Sequence, residues 1–73
     1  MNEITRIINK RLRYKTYIED FSYCLIRDDK NMYVKIDVDY TNGKFLSKLI
    51  DVDSDKIEVV SVINFILNYY YEN

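Results

Sequence analysis

One turn constrains this chain more than any other feature. Residues 32–40 alternate without a break: Met32, Val34, Ile36, Val38 and Tyr40 on one side, Tyr33, Lys35, Asp37 and Asp39 on the other. A period of two marks a β-strand with one face buried. Asn42-Gly43 follows at once, and Gly43 is the only glycine in 73 residues, which also contain no proline. A tight hairpin needs positive φ, which glycine adopts without steric cost. The chain is therefore expected to turn back here, with residues 44–52 as the returning strand. A two-residue Asn42-Gly43 loop sets Thr41 against Lys44, Tyr40 against Phe45, Ile36 against Leu49 and Asp37 against Lys48. The last is an opposite-charge pair of the kind that favours a cross-strand register.

Residues 17–27, rich in Tyr, Phe, Ile and Leu, read as an earlier strand, and Asp28-Asp29-Lys30-Asn31 as the turn after it. A loop centred on Asp29-Lys30 pairs Leu25 with Val34, Tyr23 with Ile36 and Phe21 with Val38. One sheet face then collects Phe21, Tyr23, Leu25, Val34, Ile36, Val38, Tyr40, Phe45 and Leu49, the expected core face. The other collects Ser22, Cys24, Ile26, Tyr33, Lys35, Asp37, Asp39, Leu46, Lys48 and Ile50. On that open face Ile26, Tyr33 and Ile50 are expected to be neighbours.

A helix is expected at each end. In residues 3–13, Ile4, Ile7, Ile8 and Leu12 recur at helical spacing. Asn2 suits the N-cap, Glu3 the first turn, and the basic residues gather toward the C-terminal end, where they offset the helix dipole. Asp53-Ser54-Asp55-Lys56 stops the third strand, and Asp55 with Glu58 has the form of a capping box. The second helix reads to about Tyr71. Its apolar stripe is wide: Val59, Val62, Ile63, Ile66 and Tyr70, broadened by Val60, Leu67 and Tyr71 and extended by Phe65 and Tyr69. So wide a face is usually covered on more than one side. The expected fold is a single α+β domain over residues 1–73: a three-stranded antiparallel sheet with an N-terminal and a C-terminal helix packed on one face, in the order αβββα. A chain this short buries only about 60% of its unfolded surface, so each core position matters.

Little in the sequence supports catalysis. There is no histidine, the commonest general base near neutral pH. Cys24 is the only cysteine, lies mid-strand, and has no basic neighbour in sequence to activate it. One cysteine also rules out an internal disulfide, which fits a reducing compartment. A single glycine leaves no phosphate-cradling loop. The run Asp51, Asp53, Asp55 and Glu58 resembles the start of a calcium loop, but Lys56 stands where that loop needs glycine and Val62 where it needs a bidentate glutamate. No catalytic, metal or cofactor residue is therefore expected. No stretch has the roughly 20 apolar residues of a membrane span, and the N-terminus begins an amphipathic pattern instead of a signal peptide. The expectation is a cytoplasmic protein with no membrane partner.

Net charge is −1, but it is unevenly spread. Residues 1–15 carry Arg6, Lys10, Arg11, Arg13 and Lys15 against Glu3 alone, a balance of +4, which leaves −5 for the rest. Arg6, Lys10 and Arg13 share a helical face by spacing. That face is either simply solvated or meets a phosphate backbone or an acidic protein surface. The open-sheet residues Ile26, Tyr33 and Ile50 form a second candidate contact surface. The aromatic flank Phe65, Tyr69 and Tyr71 forms a third, with core packing as its plainer reading. Asp37 and Asp39 lie about 7 Å apart on one face by strand rise, a spacing that can imitate phosphates, though Lys35 and Lys48 interrupt the field.

The helix–three strands–helix order resembles the double-stranded RNA-binding domain. That family grips phosphate with lysines at the start of its second helix; Asp51-Val52-Asp53-Ser54-Asp55-Lys56-Ile57-Glu58 stands there instead, so the likeness is one of fold order. In layout and in its Ile-, Asn-, Lys- and Tyr-rich composition, the chain also resembles small phage-encoded anti-defence proteins, above all compact anti-CRISPR inhibitors. Some of these are similar in layout, with a short N-terminal helix where this chain has Met1-Asn2, a three-stranded antiparallel sheet and then a helix. That resemblance implies a phage or mobile-element protein that binds and inhibits a host protein, such as a defence nuclease, by surface occlusion. Two other classes stay open: a small nucleic-acid-binding regulator using the basic helix, and a homo-oligomer joined through the open sheet face or the second helix.

Overall fold

The computed structural model describes residues 2–73, apart from the side chain of Asn2, so the expected Asn2 cap lies outside the described residues. The elements are α1 (Asn2–Leu12), β1 (Ile18–Arg27), β2 (Met32–Tyr40), β3 (Phe45–Asp51) and α2 (Lys56–Tyr69). The strands form one antiparallel sheet in the order β1-β2-β3. The expected αβββα, α+β layout is the observed one.

The β1–β2 hairpin has the expected register, with Phe21 opposite Val38, Tyr23 opposite Ile36 and Leu25 opposite Val34. Its turn is held by the Asp28 side chain, whose Oδ1 accepts the N–H of Lys30 at 3.1 Å and of Asn31 at 2.9 Å. This Asx arrangement lets one short side chain stand in for a backbone turn bond. The expected covering of this strand is corrected, however. Phe21 is half-buried, and Tyr23 and Leu25 are exposed. β1 is an edge strand of ten residues, about 33 Å long, whereas the eleven residues of α1 span about 17 Å. The helix is too short to cover it.

The second hairpin differs from expectation by one residue. Tyr40 donates its N–H to the carbonyl of Lys44, and Gly43 donates to the carbonyl of Tyr40, both at 3.0 Å. The loop therefore has three residues, Thr41, Asn42 and Gly43, with Gly43 at φ 89°. Asn42 anchors it: Oδ1 accepts the Lys44 N–H, and Nδ2 donates to the carbonyl of Tyr70. Asp39 now faces Phe45, Asp37 faces Ser47, Ile36 faces Lys48 and Val34 faces Ile50. A one-residue slip moves every side chain of a strand to the other face. Ile50, expected on the open face, is 2% exposed in the core, whereas Phe45 and Leu49, expected in the core, are 54% and 53% exposed. Lys48 does not pair with Asp37. It points toward α2, its ammonium 4.4 Å from the centre of the Phe65 ring.

Both helices bury their stripes against the same sheet face. Ile4, Ile7, Ile8 and Leu12 of α1 join Val59, Ile63 and Ile66 of α2 over Val34, Ile36, Val38, Tyr40 and Ile50. Asp55 caps α2, its Oδ1 accepting the Glu58 N–H at 2.9 Å. The helix ends at Tyr69, two residues short of the expected Tyr71. Tyr40 ties sheet to helix: its buried hydroxyl donates to the Ile66 carbonyl at 2.6 Å. Among the described residues no buried side-chain polar atom lacks a partner.

Two outcomes test this packing. Ile50→Ala should cost about 2–5 kcal/mol in urea unfolding, and Leu49→Ala less than about 1 kcal/mol; the reverse order would restore the two-residue turn. The Tyr40 hydroxyl is pushed up to about 12 by its burial first and by the nearby Tyr69 and Tyr17 second. Between the unfolded value of 10.0 and about 12 the folded state holds a proton that the unfolded chain releases. Stability should therefore be unaffected by this group below about pH 10 and fall as pH rises toward 12. Tyr40→Phe should lose about 0.5–1.5 kcal/mol at neutral pH and show a shallower alkaline fall in the urea midpoint.

Candidate docking groove between the two helices

A second stripe starts from the core residue Ile7, runs along α1 and continues into the turn after it. Ile7, Lys10, Arg11 and Tyr14 follow one another at helical spacing of three and four. Because α2 packs alongside, this stripe becomes one wall of a groove of about 480 Å³ between the helices. Its apolar lining is Ile7 from α1 with Val60 and Leu67 from α2, the last two half-buried. Its cations are Arg6, Lys10 and Arg11 on α1, Lys15 just beyond it, and Lys56 in the first turn of α2. Glu3 is the one carboxylate lining it, and it is already paired with Arg6. Lys10, Arg11, Lys15 and Lys56 make no ion pair among the described residues. A shallower depression continues over α2 past Ile57, sharing Lys56 and Val60 with the groove. Ile57 is 80% exposed.

Of the three cations expected to act together, Arg6 and Lys10 line the groove and Arg13 does not. Arg13 lies past the last residue of α1, exposed, its N–H bonded to the Asn9 carbonyl. Arg11, Lys15, Lys56 and Ile57 were missed. Arg11 and Lys15 could have been found by extending the helical spacing from Ile7. Lys56 and Ile57 join them only because the αβββα order lays the helices side by side.

The opposite, open sheet face has the other sign. Asp20, Asp37, Asp39 and Asp51 share it with Lys35. Asp37 accepts a hydrogen bond from the Ser47 hydroxyl at 2.7 Å and has the Lys35 ammonium at 3.9 Å. Asp20 stands directly across from Asp39, and like charges so placed oppose pairing. Ile26 and Tyr33 are cross-strand neighbours here, as expected, and both are half-buried. The third expected member, Ile50, is in the core, and the exposed apolar groups on this face are Phe45 and Leu49.

The aromatic flank of α2 is partly taken up by the fold. Tyr69 is half-buried beside Tyr40, with the Lys44 ammonium over its ring and bonded to its carbonyl at 3.0 Å. Phe65 stacks against Tyr69 and remains exposed. Tyr71 is exposed, with one side of its ring against Tyr17.

Among the described residues, no three histidine, cysteine, aspartate or glutamate side chains are placed to hold a metal, and no helix is long and apolar enough to cross a membrane. No protein-family model matches the chain, and neither a curated protein nor a solved structure matches it.

Cys24 is exposed on the open sheet face. In native buffer it should react with a maleimide to one label per chain at nearly the rate of the urea-unfolded protein. Protection of the thiol in the folded protein would mean that this face is covered in solution.

Proposed function

We propose that this chain is a non-catalytic binding module whose helix side seats on an acidic surface of a host protein and blocks it by occlusion. This is the role that the resemblance to phage anti-defence inhibitors implies. The observation that carries the reading is the groove between α1 and α2, where four cations without an ion-pair partner among the described residues surround the half-buried Val60 and Leu67 above the buried Ile7. Cations massed on one side steer an acidic partner toward that side and set its orientation. The module asks no proton transfer and no bound group of its own residues; its effect comes from covering what the partner must expose. A defence nuclease with an exposed carboxylate-rich surface is one such host protein.

Nucleic acid would meet the same cations. Phosphates, however, gain nothing from Ile7, Val60 and Leu67 beneath them, and apolar groups stabilise a complex only when apolar groups cover them. The groove therefore favours protein.

The test uses nuclease-treated extract of the host and the immobilised chain in three forms. Unmodified protein should retain a defined partner at low salt. Lys10→Glu with Lys56→Glu should lose it, since both side chains are exposed and the fold does not use them. Protein with a bulky maleimide on Cys24 should retain it. Equal retention by the charge-reversed form, or retention by none, would sink the proposal.

A further inference from the structure

We infer that the groove takes an amphipathic α-helix of the partner whose apolar seam is flanked by carboxylates. The inference rests on the occluding-module reading and names the chemistry of what enters the site. Three features of the groove carry it.

The first is shape. α1 and α2 pack against one another on one sheet face, and the segment between α1 and β1 meets the end of α2, where the Tyr17 ring sits 4.6 Å from that of Tyr70. The furrow between two such helices is the natural seat of a third, because side-chain ridges on one helix fill grooves on its neighbours. An extended strand would need a free backbone edge to pair with, and helices offer none.

The second is length. α1 has eleven residues and α2 fourteen. At 1.5 Å per residue the furrow is about 17–21 Å long, which matches a guest helix of about three to four turns.

The third is the order of chemistry across the furrow. Half-buried Val60 and Leu67 line the floor over the buried Ile7, with Lys10 and Arg11 on the α1 wall and Lys56 at the start of the α2 wall. Ile57 extends the apolar strip along α2. A matching guest presents apolar residues at i, i+3, i+4 and i+7, with glutamate or aspartate on both flanks. A nucleic-acid backbone presents charge without the seam, and an uncharged amphipathic helix presents the seam without the charge.

The test uses a synthetic fourteen-residue peptide, acetylated and amidated, with Leu at the seam and Glu on both flanks. Two comparisons accompany it: a permuted peptide of the same composition with the seam broken, and a single-stranded oligonucleotide of about the same length. Binding is followed by fluorescence anisotropy, and helix formation in the peptide by circular dichroism. The seamed peptide should bind and become helical, about tenfold or more tighter than the permuted one. Lys10→Glu should weaken it about tenfold, and Ile57→Ser about threefold, with the urea midpoints of both variants unchanged. Equal binding of the permuted peptide would reduce the site to a diffuse positive field and overturn the inference. Displacement of the seamed peptide by the oligonucleotide at equal concentration would overturn it in favour of a phosphate ligand. If the peptide fails while the charge-reversed protein still loses its host partner, the helix is the wrong guest and the occluding module stands. If both fail, both readings fall.

Discussion

A three-residue turn closes β2 onto β3, and it does so because Gly43 holds a φ of 89°, a conformation open to glycine and strained for almost any other residue. The turn has no slack, since Asn42 is bonded both to Lys44 within it and to the Tyr70 carbonyl past α2. Its length sets the register, and the register decides which half of β3 is core. Leu46 and Ile50 go under α2, while Phe45 and Leu49 go to water. It also sends Lys44 and Lys48 inward on an edge strand. Their ammonium groups settle over the Tyr69 and Phe65 rings of α2. Inward-pointing charge at an edge is one way a sheet discourages a further strand from adding to it.

Much of this was legible in the sequence because independent signals agreed. The alternation of residues 32–40, the turn at Asp28 and the apolar run of residues 17–27 all require one register for β1 and β2, and that register is observed. The second helix likewise starts at its Asp55 cap. In β3 the signals conflicted. Phe45 and Leu49 make one plausible buried set, and Leu46 and Ile50 make another. The Asp37–Lys48 pair supported the first, but an exposed ion pair contributes at most about 1 kcal/mol, whereas burying an isoleucine contributes about 1.5–3 kcal/mol. Each register buries two large apolar side chains, so the ion pair is too weak to decide between them; the three-residue loop, held by the Tyr40 and Asn42 hydrogen bonds, sets the register that buries Ile50. The length of the loop, three residues and not two, could not be read from Asn42-Gly43 alone.

The candidate surfaces divide in the same way. The cations of α1 are a local pattern and were visible, as was the pairing of Ile26 with Tyr33. The groove is a tertiary object. It exists because α2 supplies Val60, Leu67 and Lys56 from a segment some forty residues on from the α1 wall, and no local spacing announces that. The same topology sets the two charge fields on opposite sides of the sheet. The basic α1 and the nearly neutral α2 cover one face, and a strand face bearing four aspartates against Lys35 remains open.

Net charge is consequently a poor guide to how this molecule meets other charged objects. At −1 it is nearly neutral as a whole, yet its charges are sorted across a body only 18 to 21 Å through in its two short dimensions. That distance exceeds the screening length of about 8 Å at physiological ionic strength, so each side is felt largely on its own. The protein behaves as a dipole. It can rest basic side down on a polyanion and acidic side down on a polycation, and an anion-exchange and a cation-exchange resin would each hold it at neutral pH by a different face.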